Sequence, residues 1–158
     1  MTLLPQDKII AAQVEEAIRN GAALPRWGWP TPPCYNGAIG DGRISGWQRV
    51  WLARKLGLLN QAAVCGVCRD AQPAHFHCEI YARPLTSQSV CRSCHFHIHR
   101  RFKKPAEWEA RVGDLPVTAW VRALLTTELG RATMLQVADE EDVFAALTKI
   151  SQKKDRPD

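Results

Sequence analysis

Four cysteines constrain this chain more than any other feature. Cys65-Gly-Val-Cys68 and Cys91-Arg-Ser-Cys94 form two C-x2-C pairs separated by 22 residues. Each pair offers two thiolates from one tight bend, and two such bends close a tetrahedral shell of soft ligands, which is the arrangement zinc takes. A closed four-sulfur shell keeps no position open for water, so the expected Zn2+ is structural. Gly66 suits the first turn, and Arg92 beside the second pair is expected to help keep the thiolates ionised. The 22 intervening residues leave room for a hairpin. Cys34 and Cys78 fall outside the pattern, and Cys34 reads as a plain buried thiol.

Histidines gather around the same segment. His75 and His77 precede Cys78, while His95, His97 and His99 follow the last cysteine. If Cys91 opens a helix, His95 and His99 stand one turn apart on one face, a metal-ligand spacing, and His97 points elsewhere. His77, brought in by the hairpin, would complete a three-histidine site with room for water or phosphate. Spacing alone is equally compatible with histidines that pack, cap or touch phosphate without a second metal.

The charge points the same way. The net charge of +5 divides into +3 over residues 1–60, +5 over 61–104 and −3 over 105–158, so the excess positive charge lies on the cysteine-rich middle. Such a patch is where a polyanion is expected to dock, the alternative being a solvated basic surface with no partner. With 46% hydrophobic and 23% charged residues, the chain is ordinary for a soluble globular protein. No apolar run approaches the roughly 18 to 20 residues that span a bilayer. The opening MTLLPQDKII lacks the form of a secretory signal, so a cytoplasmic location is expected, where cysteines serve metals rather than disulfides.

Three stretches forming one compact unit are expected. Residues 1–60 should hold N-terminal helices over Asp7–Asn20 and Gly46–Leu56, the second capped by Ser45, around a Trp/Pro/Gly-rich loop from Pro25 to Gly46. Residues 61–104 should form the zinc module. Residues 105–158 should hold helices from Pro105 to Val112, from Val117 to Leu129, and from Asp139 to about Ile150, ahead of a frayed tail. The fold class is mainly α with one small β-hairpin.

Cys65-Gly-Val-Cys68, His77-Cys-Glu-Ile-Tyr81, Ala82-Arg-Pro-Leu85 and Cys91-Arg-Ser-Cys94-His95, with His99-Arg-Arg-Phe102, together carry a resemblance. The segment resembles the zinc-stabilised members of the HNH, or His-Me finger, endonuclease superfamily. It is similar in particular to small phage and bacterial proteins with His-x-Glu-Asp-Tyr, Arg/Lys-Pro-Leu and Cys-x2-Cys-His-x3-His. The resemblance covers about 40 of the 158 residues. It implies a treble-clef or HNH-like module, a hairpin followed by a helix with the four cysteines binding zinc beneath it. It also implies that His77, His95 and His99 are ligands of a catalytic divalent ion such as Mg2+, Mn2+ or Ni2+. The position it assigns to the general base is Cys78, a poor proton acceptor for phosphodiester hydrolysis. His75, which shares a strand face with His77, is the candidate for a displaced base.

The expected function is therefore a zinc-stabilised nucleic-acid-binding protein on an HNH-like scaffold, with DNA as the expected partner. Arg83, Arg92, Arg100, Arg101, Lys103 and Lys104 are expected to grip backbone phosphate. One alternative is a metal-dependent HNH-type endonuclease. The other is a zinc-stapled adaptor that binds protein through its acidic C-terminal helices or the Trp27/Trp29 loop.

Overall fold

The structure, a computed structural model, describes residues 5–113, 115 and 119–154. Among them are seven helices, one 3-10 turn and a two-stranded antiparallel hairpin. In chain order these are α1 (Gln6–Arg19), α2 (Gly40–Lys55), β1 (His75–His77), the 3-10 turn (Pro84–Thr86), β2 (Gln88–Val90), α3 (Arg92–Arg100), α4 (Pro105–Val112), α5 (Ala119–Ala123), α6 (Arg131–Asp139) and α7 (Val143–Lys154). The mainly helical class with a small hairpin is as expected. No helix among the described residues is long and apolar enough to cross a membrane.

The chain divides into two compact units. The first is drawn from Met1–Asn60, Cys78–Ser87 and Gly130–Ala138, the second from Gln61–His77, Gln88–Leu129 and Asp139–Asp158.

In the first unit α1, α2 and the 3-10 turn pack on one another, burying Ile10, Val14, Val50, Leu52, Ala53 and Leu85. Helix α1 ends as its Asn-Gly signal predicts, with Gly21 at φ +91°. Helix α2 starts six residues before the expected Gly46, because the proline- and glycine-rich stretch from Pro25 to Gly46, with Gly40, Gly42 and Gly46, reads as loop in sequence. Two of these three glycines are instead demanded by close approach. A Cβ on Gly40 would lie 2.2 Å from Thr31 Cγ2, and one on Gly46 would lie 2.8 Å from Tyr81 Cδ1. Ser45 is thus not a cap; it lies inside α2, where its Oγ accepts from Arg49 Nη1 at 2.5 Å.

Two polar arrangements fix the Cys78–Ser87 stretch within this unit. Arg83 forms a bidentate pair with Asp7 of α1, both bonds at 2.8 Å. Buried Glu79 accepts from Tyr35 Oη at 2.8 Å and from Asn36 Nδ2 at 2.6 Å. Asn36 and Gly37 form the tight turn of the Tyr35–Ala38 bridge at φ 47° and 73°. Gly37 packs directly on the start of α6, where an added Cβ would lie 2.3 Å from Arg131 Cα.

In the second unit β1 pairs with β2 in the register His75↔Val90, Phe76↔Ser89 and His77↔Gln88. Strand alternation places His75 and His77 on one face. Cys91 then caps α3, its Sγ accepting the Cys94 N–H at 3.4 Å. Helix α4 begins at Pro105 and stops at Gly113, as its sequence predicts. The core gathers Val67, Val90, Ile98, Trp108, Trp120, Val121 and Leu124 around three of the cysteines.

The C-terminal helices need correction. The helix expected over Val117–Leu129 is only α5; Val117 and Thr118 lie outside the described residues, and the chain leaves the helix after Ala123. Leu124, Leu125 and Leu129 are still buried, so the apolar pattern there marks core rather than a helical stripe. The Leu125 carbonyl, which a continuing helix would bond to its own backbone, accepts from Arg101 Nε at 2.5 Å instead. Helix α6 is an addition to the expected elements. Helix α7 is capped not by Asp139 but by Asp142, whose Oδ1 accepts from Phe144 N and Ala145 N at 3.1 and 3.0 Å.

Candidate metal centre

Cys65, Cys68, Cys91 and Cys94 come together in the second unit, with their sulfur atoms all within 4.8 Å of one another. Zinc–sulfur bonds of about 2.3 Å set tetrahedral corners about 3.8 Å apart, so the cluster is of the right size for one ion. The donor chemistry also fits. Cys65 Sγ accepts from Val67 N–H at 3.4 Å and from Cys91 N–H at 3.2 Å, and Cys91 Sγ accepts from Cys94 N–H. Burial raises the Cys68 thiol, but hydrogen bonds with the Ala71 and Asp70 backbone and with the Cys65 and Cys94 side chains together outweigh it and bring the group down to about 7. Donors aimed at sulfur favour thiolate over thiol, which is the form a metal requires.

The cation beside this cluster is not the expected one. Arg92 is exposed on α3, whereas Arg111 of α4 donates through Nη2 to Cys94 Sγ at 3.3 Å and to Ser93 Oγ at 3.0 Å. Burial pushes the Cys94 thiol up to about 12, and the Arg111 hydrogen bond works against that rise. Four thiolates around a divalent ion carry net negative charge, so a guanidinium at hydrogen-bonding distance compensates it. No sequence pattern marks Arg111, which lies 17 residues beyond Cys94 on a separate helix.

The second cluster is built from β1 and α3. His77, only 1% exposed, offers a ring nitrogen within 4.8 Å of those of His95 and His99, a separation one ion can bridge. His95 and His99 stand one turn apart as expected, with their Nε2 atoms 3.0 Å apart. His75 sits alongside, its Nδ1 2.8 Å from His95 Nδ1. The Trp120 ring lies stacked relative to His77, 6.3 Å between ring centroids and 26° between planes. The ring of His97 lies edge-on to Phe96 instead.

Cys78, where the resemblance would set a general base, is buried among groups of the first unit. Burial pushes its thiol up to about 12, against a hydrogen bond with the Ser87 side chain. It is a neutral thiol at physiological pH and accepts no proton there. Cys34, read as buried, is exposed.

The six expected phosphate-gripping residues separate into two kinds. Arg92, Lys103 and Lys104 are exposed. Arg100 is half-exposed, 3.6 Å from Glu107 and over the Phe96 ring at 4.9 Å. Arg83 and Arg101 must be removed from the patch. Arg83 is 9% exposed and committed to Asp7. Arg101 is 1% exposed, bonded to the Leu125 and Ile98 carbonyls and laid over the Phe102 ring at 4.1 Å. The run Arg100-Arg101-Phe102-Lys103-Lys104 turns one member inward at the end of α3, and a count of basic residues cannot reveal that. Arg101→Ala is therefore expected to cost about 3 kcal/mol of stability, by emptying a buried site and stripping donors from two carbonyls. Denaturant titration checks this; a midpoint equal to wild type would return Arg101 to the surface.

The Trp27/Trp29 loop forms an edge-to-face cluster with Trp47 of α2 at centroid distances of 5.1, 5.2 and 6.2 Å, with Trp29 64% exposed.

No protein-family model matches the chain, and the curated proteins and solved structures gave no match either.

Proposed function

We propose that this chain is a zinc-stapled nucleic-acid-binding protein on an HNH-like hairpin–helix module, with DNA as its partner. In this reading the four cysteines hold a structural zinc, and His77, His95 and His99 hold a second divalent ion. The observation that carries it is the convergence of those three ring nitrogens beside a helix bearing exposed basic residues. Three neutral imidazoles neutralise none of an ion's charge and leave coordination positions open, so an ion held there supplies a positive centre for a phosphate oxygen. A nitrogen-only ligand set suits zinc or nickel better than magnesium, which takes oxygen ligands. Arg92, Arg100, Lys103 and Lys104 bind neighbouring backbone phosphates, and such interactions fix register without reading sequence.

Binding is preferred to cleavage because the Cys78 thiol is protonated and buried. The second reading, a metal-dependent endonuclease, is favoured by the same histidine convergence, since an ion with open positions can also activate water. Supercoiled plasmid incubated with magnesium, manganese or nickel, beside a His77→Ala control, decides between them. Nicking that vanishes in the control establishes cleavage.

The binding reading predicts a gel shift on duplex DNA that weakens as salt rises. Replacing Arg92, Arg100 and Lys103 by alanine should lower the slope of log affinity against log salt by about 0.9 for each phosphate that the variant no longer neutralises. The absence of any shift at low salt, or an unchanged slope in the triple variant, would remove nucleic acid as the partner of this face.

A further inference from the structure

His75 lies next to the proposed histidine site without belonging to its three ligands, and its geometry assigns it a task. We infer that His75 is a positioning residue. Its Nδ1 accepts the Nδ1–H of His95 and so holds that ring with Nε2 turned toward the ion site. The inference rests on the reading of His77, His95 and His99 as metal ligands.

It follows from counting protons. His75 Nδ1 and His95 Nδ1 are 2.8 Å apart, a distance at which one must donate and the other accept. The opposite nitrogen of the same ring, His95 Nε2, is 3.0 Å from His99 Nε2, on the side where the candidate ligand atoms converge. A neutral imidazole has one proton. If Nε2 of His95 is to present a lone pair to an ion, its proton must sit on Nδ1. Its hydrogen-bond partner there is His75 Nδ1, which accepts, so the proton of His75 lies on Nε2. The two rings meet nearly at right angles, 86° between planes. An outer acceptor of this kind fixes a ligand's tautomer and orientation and raises its donor strength.

The backbone supports the assignment. His75 and His77 are two apart in β1, so one strand face delivers both a ligand and the residue that orients another ligand. His95 and His99 are four apart in α3, and the helix presents both to that face. This placement also changes the role expected of His75 from sequence. With its Nδ1 lone pair engaged by His95 and a proton on Nε2, the ring has no free lone pair with which to act as a general base.

The test uses the full chain with its cysteine site filled with zinc, titrated with cobalt and followed by the visible ligand-field bands of a nitrogen-ligated ion. Wild type, His75→Leu and His75→Gln are compared, with thermal melts to show that each is folded. The leucine variant is expected to bind cobalt about 10- to 100-fold more weakly. The glutamine variant, whose side-chain oxygen can still accept from His95, should recover most of the loss. Nitrogen-15 spectra of the imidazoles in the fully zinc-loaded wild type should show His95 protonated on Nδ1 and His75 on Nε2. Cobalt binding in wild type that is unaffected in both variants, or a His95 proton on Nε2 in the loaded protein, would overturn the role of His75 and leave the site intact. No cobalt binding beyond the cysteine site in wild type would remove the histidine site and this inference together.

Discussion

Cys65→Ser is expected to abolish the folded second unit, and chelation of the wild-type metal should do the same. Cys65 is fully buried and its sulfur accepts two backbone N–H groups, from Val67 and Cys91, tying one cysteine turn to the other. Between them Gly66 has no room for a side chain, since an added Cβ would lie 3.1 Å from the Ser89 carbonyl oxygen and 3.2 Å from Trp120, and its N–H donates to Ser89 O at 2.8 Å. The core of the unit is assembled on these turns: Val67, Val90, Ile98, Trp108, Trp120, Val121 and Leu124 pack about Cys65, Cys91 and Cys94. A hairpin of three-residue strands and a nine-residue helix bury too little to order themselves. Structural zinc contributes about 10–16 kcal/mol on binding, as much as the whole stability of a typical domain. Amide exchange read residue by residue is the discriminating measurement. Protection should disappear across Val67, Val90 and Ile98, and a protected second unit in the chelated protein would show that sulfur packing alone suffices. Zinc affinity should also rise with pH. Protons must leave the thiols on binding, and burial pushes the Cys94 thiol up to about 12, so its proton is one that zinc has to displace.

The second large effect belongs to the first unit. Asp7→Ala is expected to cost about 3 kcal/mol, because it leaves the Arg83 guanidinium buried after removing its bidentate carboxylate. Arg83 also donates to the Ala138 carbonyl at 3.4 Å, so its position is over-determined and it cannot swing out cheaply to water. Exchanging both partners for apolar residues of similar size, Asp7→Leu with Arg83→Met, should recover most of the loss, since a buried pair contributes little net stability against a hydrophobic replacement. Equilibrium unfolding of the two singles and the double measures this directly. A single variant as stable as wild type would mean the pair is solvated in solution.

The legible parts of this chain are those whose meaning is local. The C-x2-C turns, the Pro105 start and Gly113 stop of α4, and the Asn20-Gly21 end of α1 depend on neighbours a few residues away, so spacing and turn chemistry reveal them. The meeting of His95 with His99 is legible for the same reason, as it needs only one turn of helix. Gly40 and Gly46 mislead because their reason is tertiary: the space taken by Thr31 and Tyr81 cannot be read from a run of glycines. Arg101 misleads likewise. Nothing in Arg100-Arg101 says which side chain will find the Leu125 carbonyl 24 residues away. Arg111 and His75 carry roles that emerge only when separate elements are brought side by side.

The chain alternates between its two compact units, each built from three separate stretches. On a ribosome, the first unit stays incomplete until Gly130–Ala138 has emerged, and the second waits for the C-terminal helix. Neither can be isolated by trimming residues from either end of this chain. A fragment ending after Lys104 would carry every cysteine ligand and every basic residue of the α3 face, yet lack Arg111, Trp108, Trp120 and the final stretch of both units. Minimal-domain dissection, the usual first step toward locating a binding activity, would here report on an unfinished protein.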